Sequence, residues 1–558
     1  MRRPRLALAA ASLGLLASPL AAAYPSNAHE PLRASEPPAA MLGIHVVHPL
    51  HGSPYLADAS GRQVMLRGVD TNALVQYSDQ PGCSFQETVP LTSADLSEMA
   101  ALGFDFLRLA VSWSRLEPAP GKFSGTYIDE VSRVVNEARA HGIAVLVDMH
   151  QDRYNRHTWC GQEVDGAPDW ATLTYGTPCT PVEISTLCAQ AATQAFWSDA
   201  RVAGKGLQAW YLGALGKLAA AVGHASNLAG IEIMNEPTPG FVAPGAFETT
   251  ELYPFYRRMI KGLVHSGFTK PIWFEPSSLR DVTDNALASA VRFSSYPQLV
   301  YAVHIYTGVF SYPQGPDNTE AQLRQSYMAA RAEARVFGTP WVDDEFGSNA
   351  SAAWDLWLRR ELALQNNYMV GSGFWLWKQQ PGFYGWAVVH PDGTLRTSTE
   401  RAQLLSLPHV DAAPGRLLSI RLLGPGPSDA VPLAPSALSV SIFSPRGGTM
   451  LLWSGTVVDS GGPSLLAEPF TRAAVNGKVV PTTCKKIVFQ ATAPPAGSSA
   501  GSSAGGSTGG SAGGSGSPDA SGGTSARSSR STELAGCTVE VKVPRGFDTV
   551  VMAGSTRW

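Results

Sequence analysis

Two hydrophobic patterns alternate along most of this chain. Short, nearly unbroken apolar runs occur at Val64–Val69, Phe104–Val111, Ile143–Met149, Leu228–Met234, Pro271–Phe274, Leu299–Val303, Trp341–Asp344 and Gly371–Leu376. Runs of that length without polar alternation suit parallel strands covered on both faces. Between them lie amphipathic stretches such as Ser93–Leu102 and Tyr127–His141, with Ser93 and Thr126 as candidate helix caps. Strands interleaved with helices in this way predict an α/β fold, a (β/α)₈ TIM barrel over residues 43–407. A doubly wound open sheet would place a Gly-rich phosphate loop after its first strand, and none follows here.

The periodicity changes near Leu407. Short strand-like segments, Leu438–Phe443, Met450–Trp453, Lys486–Gln490 and Thr538–Val543, are punctuated by Gly and Pro and predict a small all-β sandwich domain over residues 414–558. Within it, residues 494–531 are almost pure Gly, Ser and Ala, a composition with nothing to bury, so a disordered loop is expected there. Cys484 precedes that loop and Cys537 follows it, and a disulfide between them is expected to tie its ends.

The first residues read differently again. Arg2, Arg3 and Arg5 precede an apolar stretch, and Ala21-Ala22-Ala23 offers a small-residue cleavage site, so residues 1–23 read as a signal peptide and 24–42 as a Pro/Ala-rich lead-in. The apolar stretch is shorter than the roughly 20 residues a membrane span requires. An exported, extracellular protein is the expectation, and six cysteines suit an oxidising compartment.

Composition narrows the partners. The 558 residues carry a formal net charge of −3 with no long basic run, which argues against a nucleic-acid partner. No C-x₂-C pair or His cluster has metal-ligand spacing, which argues against zinc, and neither a metal nor an organic cofactor is expected where acid/base and nucleophilic carboxylates suffice. The chain has 14 Trp, 16 Tyr and 20 Phe, rings that stack on sugar faces or fill cores equally well.

Candidate chemistry lies where apolar runs end in polar residues, because barrel enzymes collect their catalytic groups at the carboxyl ends of the strands. The fourth run ends in Asn235-Glu236-Pro237 and the seventh in Glu345-Phe346-Gly347. Two carboxyls on nearly opposite strands can face each other across the mouth. One can then protonate a leaving oxygen while the other attacks an anomeric carbon, which is the requirement of glycoside hydrolysis.

These motifs resemble glycoside hydrolase family 5, whose two glutamates end strands four and seven. The resemblance implies a retaining β-glycosidase with Glu236 as general acid/base and Glu345 as nucleophile. It further implies that Arg108 hydrogen-bonds the nucleophile, that Tyr306 touches it, and that Asn235, His150 and His304 hold the sugar. Of the two tryptophans in Gly373-Phe-Trp-Leu-Trp-Lys378, it points to Trp377 as the sugar-stacking residue and leaves Trp375 to the core. A guanidinium and a phenol beside Glu345 are expected to favour its charged form, while Glu236, more buried and less compensated, keeps its proton.

Asp148-Met-His-Gln-Asp-Arg-Tyr154 and Asp165-Gly-Ala-Pro-Asp-Trp-Ala171 are similar to the endoglycosylceramidase branch, in which His150 and Asp152 would bind the non-reducing-side sugar. That branch implies a glycolipid substrate cut between glycan and ceramide, with transient contact to a membrane or micelle surface. No lysine lies between Thr71 and Tyr77, where some relatives carry a basic sugar contact. Two alternatives stay open: the same chemistry on a β-glucan or other β-glucoside, and a non-catalytic carbohydrate-binding barrel.

Overall fold

Eight parallel strands close a barrel in the computed structural model, which describes residues 42–75, 88–152, 154, 165–177, 187–285, 290–310, 320–349, 352–379, 386–389, 400–459, 466, 468–491 and 532–554. In chain order they are β1 (Arg67–Leu74), β2 (Phe106–Ser112), β3 (Ala144–His150), β4 (Leu228–Glu232), β5 (Ile272–Phe274), β6 (Leu299–Ile305), β7 (Trp341–Phe346) and β8 (Ser372–Phe374). Each pairs with its sequence neighbours, and β8 pairs with β1 to complete the ring. All eight expected runs are therefore strands. The first is shifted: the barrel strand begins at Arg67, and Val64 belongs to a different sheet.

Alternation along these strands decides what fills the barrel. On β2, Leu107, Leu109 and Val111 face outward to the helical layer, while Phe106, Arg108 and Ala110 face inward. On β3 the outward set is Val145, Val147 and Met149, and the inward set is Ala144, Leu146, Asp148 and His150. The lower part of the barrel is apolar, with Phe106 stacked on Trp273 at 6.0 Å between ring centres and Leu146, Val300, Ala302 and Val342 around them. The next layer upward is ionic, and it leads to the carboxyl ends of the strands.

The helices cover the outer face as their patterns predict, but their caps differ from those expected. Thr92 caps Ser93–Ala101 in a reciprocal capping box with Asp95, and Ser124 caps Gly125–Ala140. Among the described residues, no helix is long and apolar enough to cross a membrane.

Two antiparallel sheets accompany the barrel. One has five strands, Arg416–Leu423, Ala437–Ser444, Gly546–Ala553, Arg472–Val475 and Lys478–Val480. The other has eight and includes His409–Ala413, Gly448–Trp453, Thr482–Ala491 and Thr532–Val543. Its edge comes from the N-terminal segment: His45–Val47, Tyr55–Ala57 and Gln63–Val64 pair in series, and Val64 pairs with Ala412. Residues 43–407 are thus not purely a barrel, because their first turns of chain complete a sheet built mostly from the C-terminal segment. Ile44, Val46, Leu56 and Val64 from that edge join the barrel's lower apolar layer in one cluster. A disulfide links Cys484 to Cys537 across the pair Thr482–Ala491 and Thr532–Val543, at a sequence separation of 53. Residues 1–41 and 492–531, with the expected signal peptide and Gly/Ser loop, lie outside the described residues.

Candidate active site

The ionic layer is organised around Arg108, which is fully buried on β2. Its Nε donates to Glu232 Oε2 at 2.7 Å, Nη1 to Glu345 Oε2 at 2.5 Å, and Nη2 to Asn235 Oδ1 at 2.6 Å. Asp148 lies 3.2 Å from Nη2, Glu275 3.4 Å from Nη2, Asp344 3.6 Å from Nε and Asp70 3.7 Å from Nη1. A planar fork with five donors can meet several acceptors at once, which an ammonium could not do. β8 leaves room for this cluster by carrying Gly373, where a Cβ would sit 2.5 Å from Asp70 Oδ1.

So many buried acids cannot all be ionised. Burial pushes Asp70, Glu275 and Asp344 well above the usual carboxylate range, against the pull of Arg108 or His304. Glu232 is the opposite case. Burial raises it, but the Arg108 charge, hydrogen bonds from Arg108 and Glu275, and His304 together outweigh burial, and the group lies below its ordinary value. For His304, burial favours the neutral ring, yet Glu275 and Glu345 override it and raise the imidazole well above its usual value.

Glu236 and Glu345 meet at the top of this layer. An oxygen of each and a His304 nitrogen all lie within 4.8 Å of one another. His304 Nδ1 is 3.0 Å from Glu236 Oε1 and 3.7 Å from Glu345 Oε1. Tyr306 donates its hydroxyl to Glu345 Oε1 at 2.8 Å. The expected burial is reversed: the Glu345 side chain is 7 % exposed and that of Glu236 24 %. The expected lowering of the Glu345 pKa is also corrected. Burial raises it above the ordinary value and outweighs His304 and Arg108, which pull it down.

Glu236 has a left-handed backbone, φ 42°, uncommon for a residue with a side chain. Its N–H donates to Glu275 Oε2 at 3.0 Å, so the turn after β4 is pinned by the carboxyl that ends β5. Glu275 also lies 3.3 Å from His304 Nε2, between the two groups that flank Glu236. Sequence reading passed over Glu275, although Pro271-Ile-Trp-Phe-Glu275 is an apolar run ending in an acid, the same signal that marked Glu236 and Glu345.

The sugar-binding candidates separate. His150 donates from Nδ1 to Asp148 Oδ2 at 2.7 Å, and its Nε2 is 3.8 Å from Asp152 Oδ1. Burial lowers its basicity, but Asp148 and Asp152 raise it well above the ordinary value. Asp152 is held by its own N–H, which donates to Asp165 Oδ2 at 2.9 Å, so the Asp148–Tyr154 and Asp165–Ala171 motifs meet. Asn235 lies in the Arg108 network and donates from Nδ2 to the Gln151 carbonyl at 2.8 Å.

The tryptophan assignment is overturned. Trp377 is fully buried, donates its indole N–H to Asp95 Oδ1 at 3.0 Å and packs edge-on against Phe104, on the helix side of the wall. Trp375 is half-buried and lies parallel to His150, with ring centres 5.2 Å apart and planes 8° apart. The two-residue alternation does not extend to them because β8 ends at Phe374. Tyr306, Phe310 and Trp386 add an aromatic wall beside Glu345, with ring centres 5.1 and 5.7 Å from Tyr306.

Two triads, Glu232/His304/Asp344 and Glu236/His304/Glu345, have ligand-type atoms close enough for a metal. The Oε2 atoms of Glu232 and Glu345 are already bound by Arg108, so a guanidinium occupies the position of the central cation. What the arrangement offers is a partly exposed carboxyl facing a buried, hydrogen-bonded one, with an oxygen of each within 4.8 Å. Oxygens that close suit the roughly 5–5.5 Å carboxyl separation of double-displacement glycosidases better than the roughly 6.5–9.5 Å of inverting ones.

Comparison with known proteins agrees with this geometry. Residues 57–381 match the family described as Cellulase (glycosyl hydrolase family 5). Endoglycoceramidase I of Rhodococcus hoagii (strain 103S) is 27 % identical over 348 residues, covering 58 % of this chain and 66 % of that protein. The chain thus spans just under two thirds of that relative's length. Among solved structures, an endogalactoceramidase superposes with a TM-score of 0.65 at 22 % identity over 91 % of this chain and 99 % of that one. Endo-glycoceramidase II from Rhodococcus sp., in a ganglioside GM3 complex, gives 0.64 at 20 % identity over 90 % and 100 %. At these identities the two structures show a shared fold.

Proposed function

The chain belongs to glycosyl hydrolase family 5, and from that premise we propose that it is a retaining β-glycosidase that releases the glycan of a glycosylated ceramide. The single observation that carries this reading is the approach of Glu236 and Glu345 to within 4.8 Å, with the deeper one held by Arg108 and Tyr306.

In the proposed cycle, Glu345 attacks the anomeric carbon as a carboxylate while Glu236 gives a proton to the glycosidic oxygen. The C–O bond to the aglycone breaks, and the sugar is left as an ester of Glu345. Glu236 then takes a proton from water, which displaces Glu345 and gives a product of unchanged configuration. Arg108 and Tyr306 fix the attacking oxygens of Glu345. His304 and Glu275 position Glu236. Trp375, His150 and Asp152 form the polar and aromatic floor on which the sugar rests.

The lipid reading draws support from three sources. The R. hoagii relative is an endoglycoceramidase, the Asp148–Tyr154 and Asp165–Ala171 motifs meet at the sugar site, and the mouth has an apolar rim. Tyr175, Phe241 and Phe310, 73 %, 55 % and 60 % exposed, follow β3, β4 and β6 on the catalytic face. Large apolar side chains displayed around one opening suit contact with a membrane or micelle. Export by the N-terminal segment belongs to the same proposal, because the glycolipid would then be met outside the cell.

The test is hydrolysis of a panel of glycosphingolipids, alkyl glucosides and β-glucans with product analysis. Release of intact glycan from a glycosylceramide, accelerated by detergent micelles, is the expected result. Cleavage of β-glucans alone would replace the lipid reading with a cellulase-like one.

A further inference from the structure

The amino ends of β7 and β8 open into a cavity of about 210 Å³ at the end of the barrel opposite the glutamates. Its walls come from the edge strand Tyr55–Ala57, the helices Glu320–Phe337 and Ala352–Tyr368, and the start of the strand Arg416–Leu423. Arg331, Arg335 and Arg416, all exposed, line it, and among the described residues no aspartate or glutamate does. Among the described residues, none of the three arginines has an ion-pair partner. Arg331 lies over the Tyr368 ring at 4.7 Å, and Arg416 reaches only the His51 carbonyl, at 3.4 Å.

We infer that this cavity binds a small phosphate or sulfate ester, independently of the glycosidase site. Three arginines lining one space without a counter-charge raise its positive potential, and a tetrahedral oxyanion neutralises it while accepting paired hydrogen bonds from a guanidinium fork. Tyr55 and Tyr368 supply ring faces for the rest of the molecule. The volume lies below the roughly 300–1,000 Å³ of drug-sized sites, which fits one sugar ring bearing the anion. Because the barrel's apolar layer separates it from Glu236 and Glu345, occupancy leaves the catalytic carboxyls untouched.

Isothermal titration of the full-length protein at low ionic strength with glucose 6-phosphate, inorganic phosphate, inorganic sulfate and glucose tests this inference. Saturable binding is expected for the three anions and none for glucose. Arg335→Ala and Arg416→Ala should each weaken anion binding about tenfold or more, since charge-assisted hydrogen bonds are the strong ones. Turnover of an aryl glucoside should be unchanged in both variants. Absence of saturable anion binding, or equal binding by the Arg335→Ala/Arg416→Ala double variant, would overturn the inference. So would binding confined to phosphatidylcholine vesicles containing phosphatidic acid, with none of the soluble anions.

Discussion

Glu275 Oε2 accepts the backbone N–H of Glu236 at 3.0 Å, so a buried carboxyl on β5 sets the backbone of the group proposed to move the proton. Burial pushes Glu275 well above the ordinary carboxylate range despite His304, and its place in the site is to hold the Glu236 backbone through that hydrogen bond. Its removal is therefore expected to act through geometry. Glu275→Ala should lower kcat/KM by about 10–100-fold, because small misplacements of catalytic groups cost that much. Glu275→Gln, which keeps an acceptor for Glu236 N–H, should recover most of the loss. Steady-state kinetics across pH separate the roles: the alanine variant should change the limb that reports proton transfer, whereas a purely structural defect would lower the rate at every pH alike.

The two tryptophans after β8 predict opposite phenotypes. Trp375→Ala removes a half-buried ring stacked on His150 and should raise KM with little change in melting temperature. Trp377→Ala removes a fully buried ring and leaves Asp95 without its indole donor, at a cost of about 3–5 kcal/mol in stability. Thermal melting and kinetics on both variants check the pair.

The legibility of this chain follows from what period and position reveal. β2 reads Phe-Leu-Arg-Leu-Ala-Val-Ser and β3 reads Ala-Val-Leu-Val-Asp-Met-His, and a buried strand of that kind shows its charged residues plainly. Glu236 and Glu345 were visible because they end such runs. Glu232, Asp148 and Asp344 were not picked out, because an acid inside an apolar run becomes meaningful only when Arg108 is seen among them. The resemblance pointed to Trp377 over Trp375, and only the end of β8 at Phe374 shows that both lie beyond the strand, where the ring beside His150 is Trp375. The edge strands His45–Val47, Tyr55–Ala57 and Gln63–Val64 were missed because their partner, His409–Ala413, lies far along the chain and no local pattern announces it.

Stability should fall as the pH rises across the mildly acidic range. Asp411 is buried on the strand His409–Ala413, and burial pushes it up to about 7 against the weaker pull of Arg62. An unfolded aspartate titrates near 3.9, so between about pH 4 and 7 the folded state holds a proton that the unfolded state has released. The folded state binds more protons in that window, and the unfolding free energy declines with rising pH through it. Asp411→Asn should flatten that part of a melting-temperature profile. Asp343, also near 7 from burial, would leave a residual slope.

The most direct test of the proposed double displacement is the configuration of the first sugar released. Proton NMR of the wild-type enzyme acting on a β-glycoside, recorded before mutarotation, should show the β-anomer appearing first and the α-anomer growing in later. Initial appearance of the α-anomer would contradict the assignment of Glu345 as nucleophile and, with it, a mechanism that uses two carboxyls less than 5 Å apart.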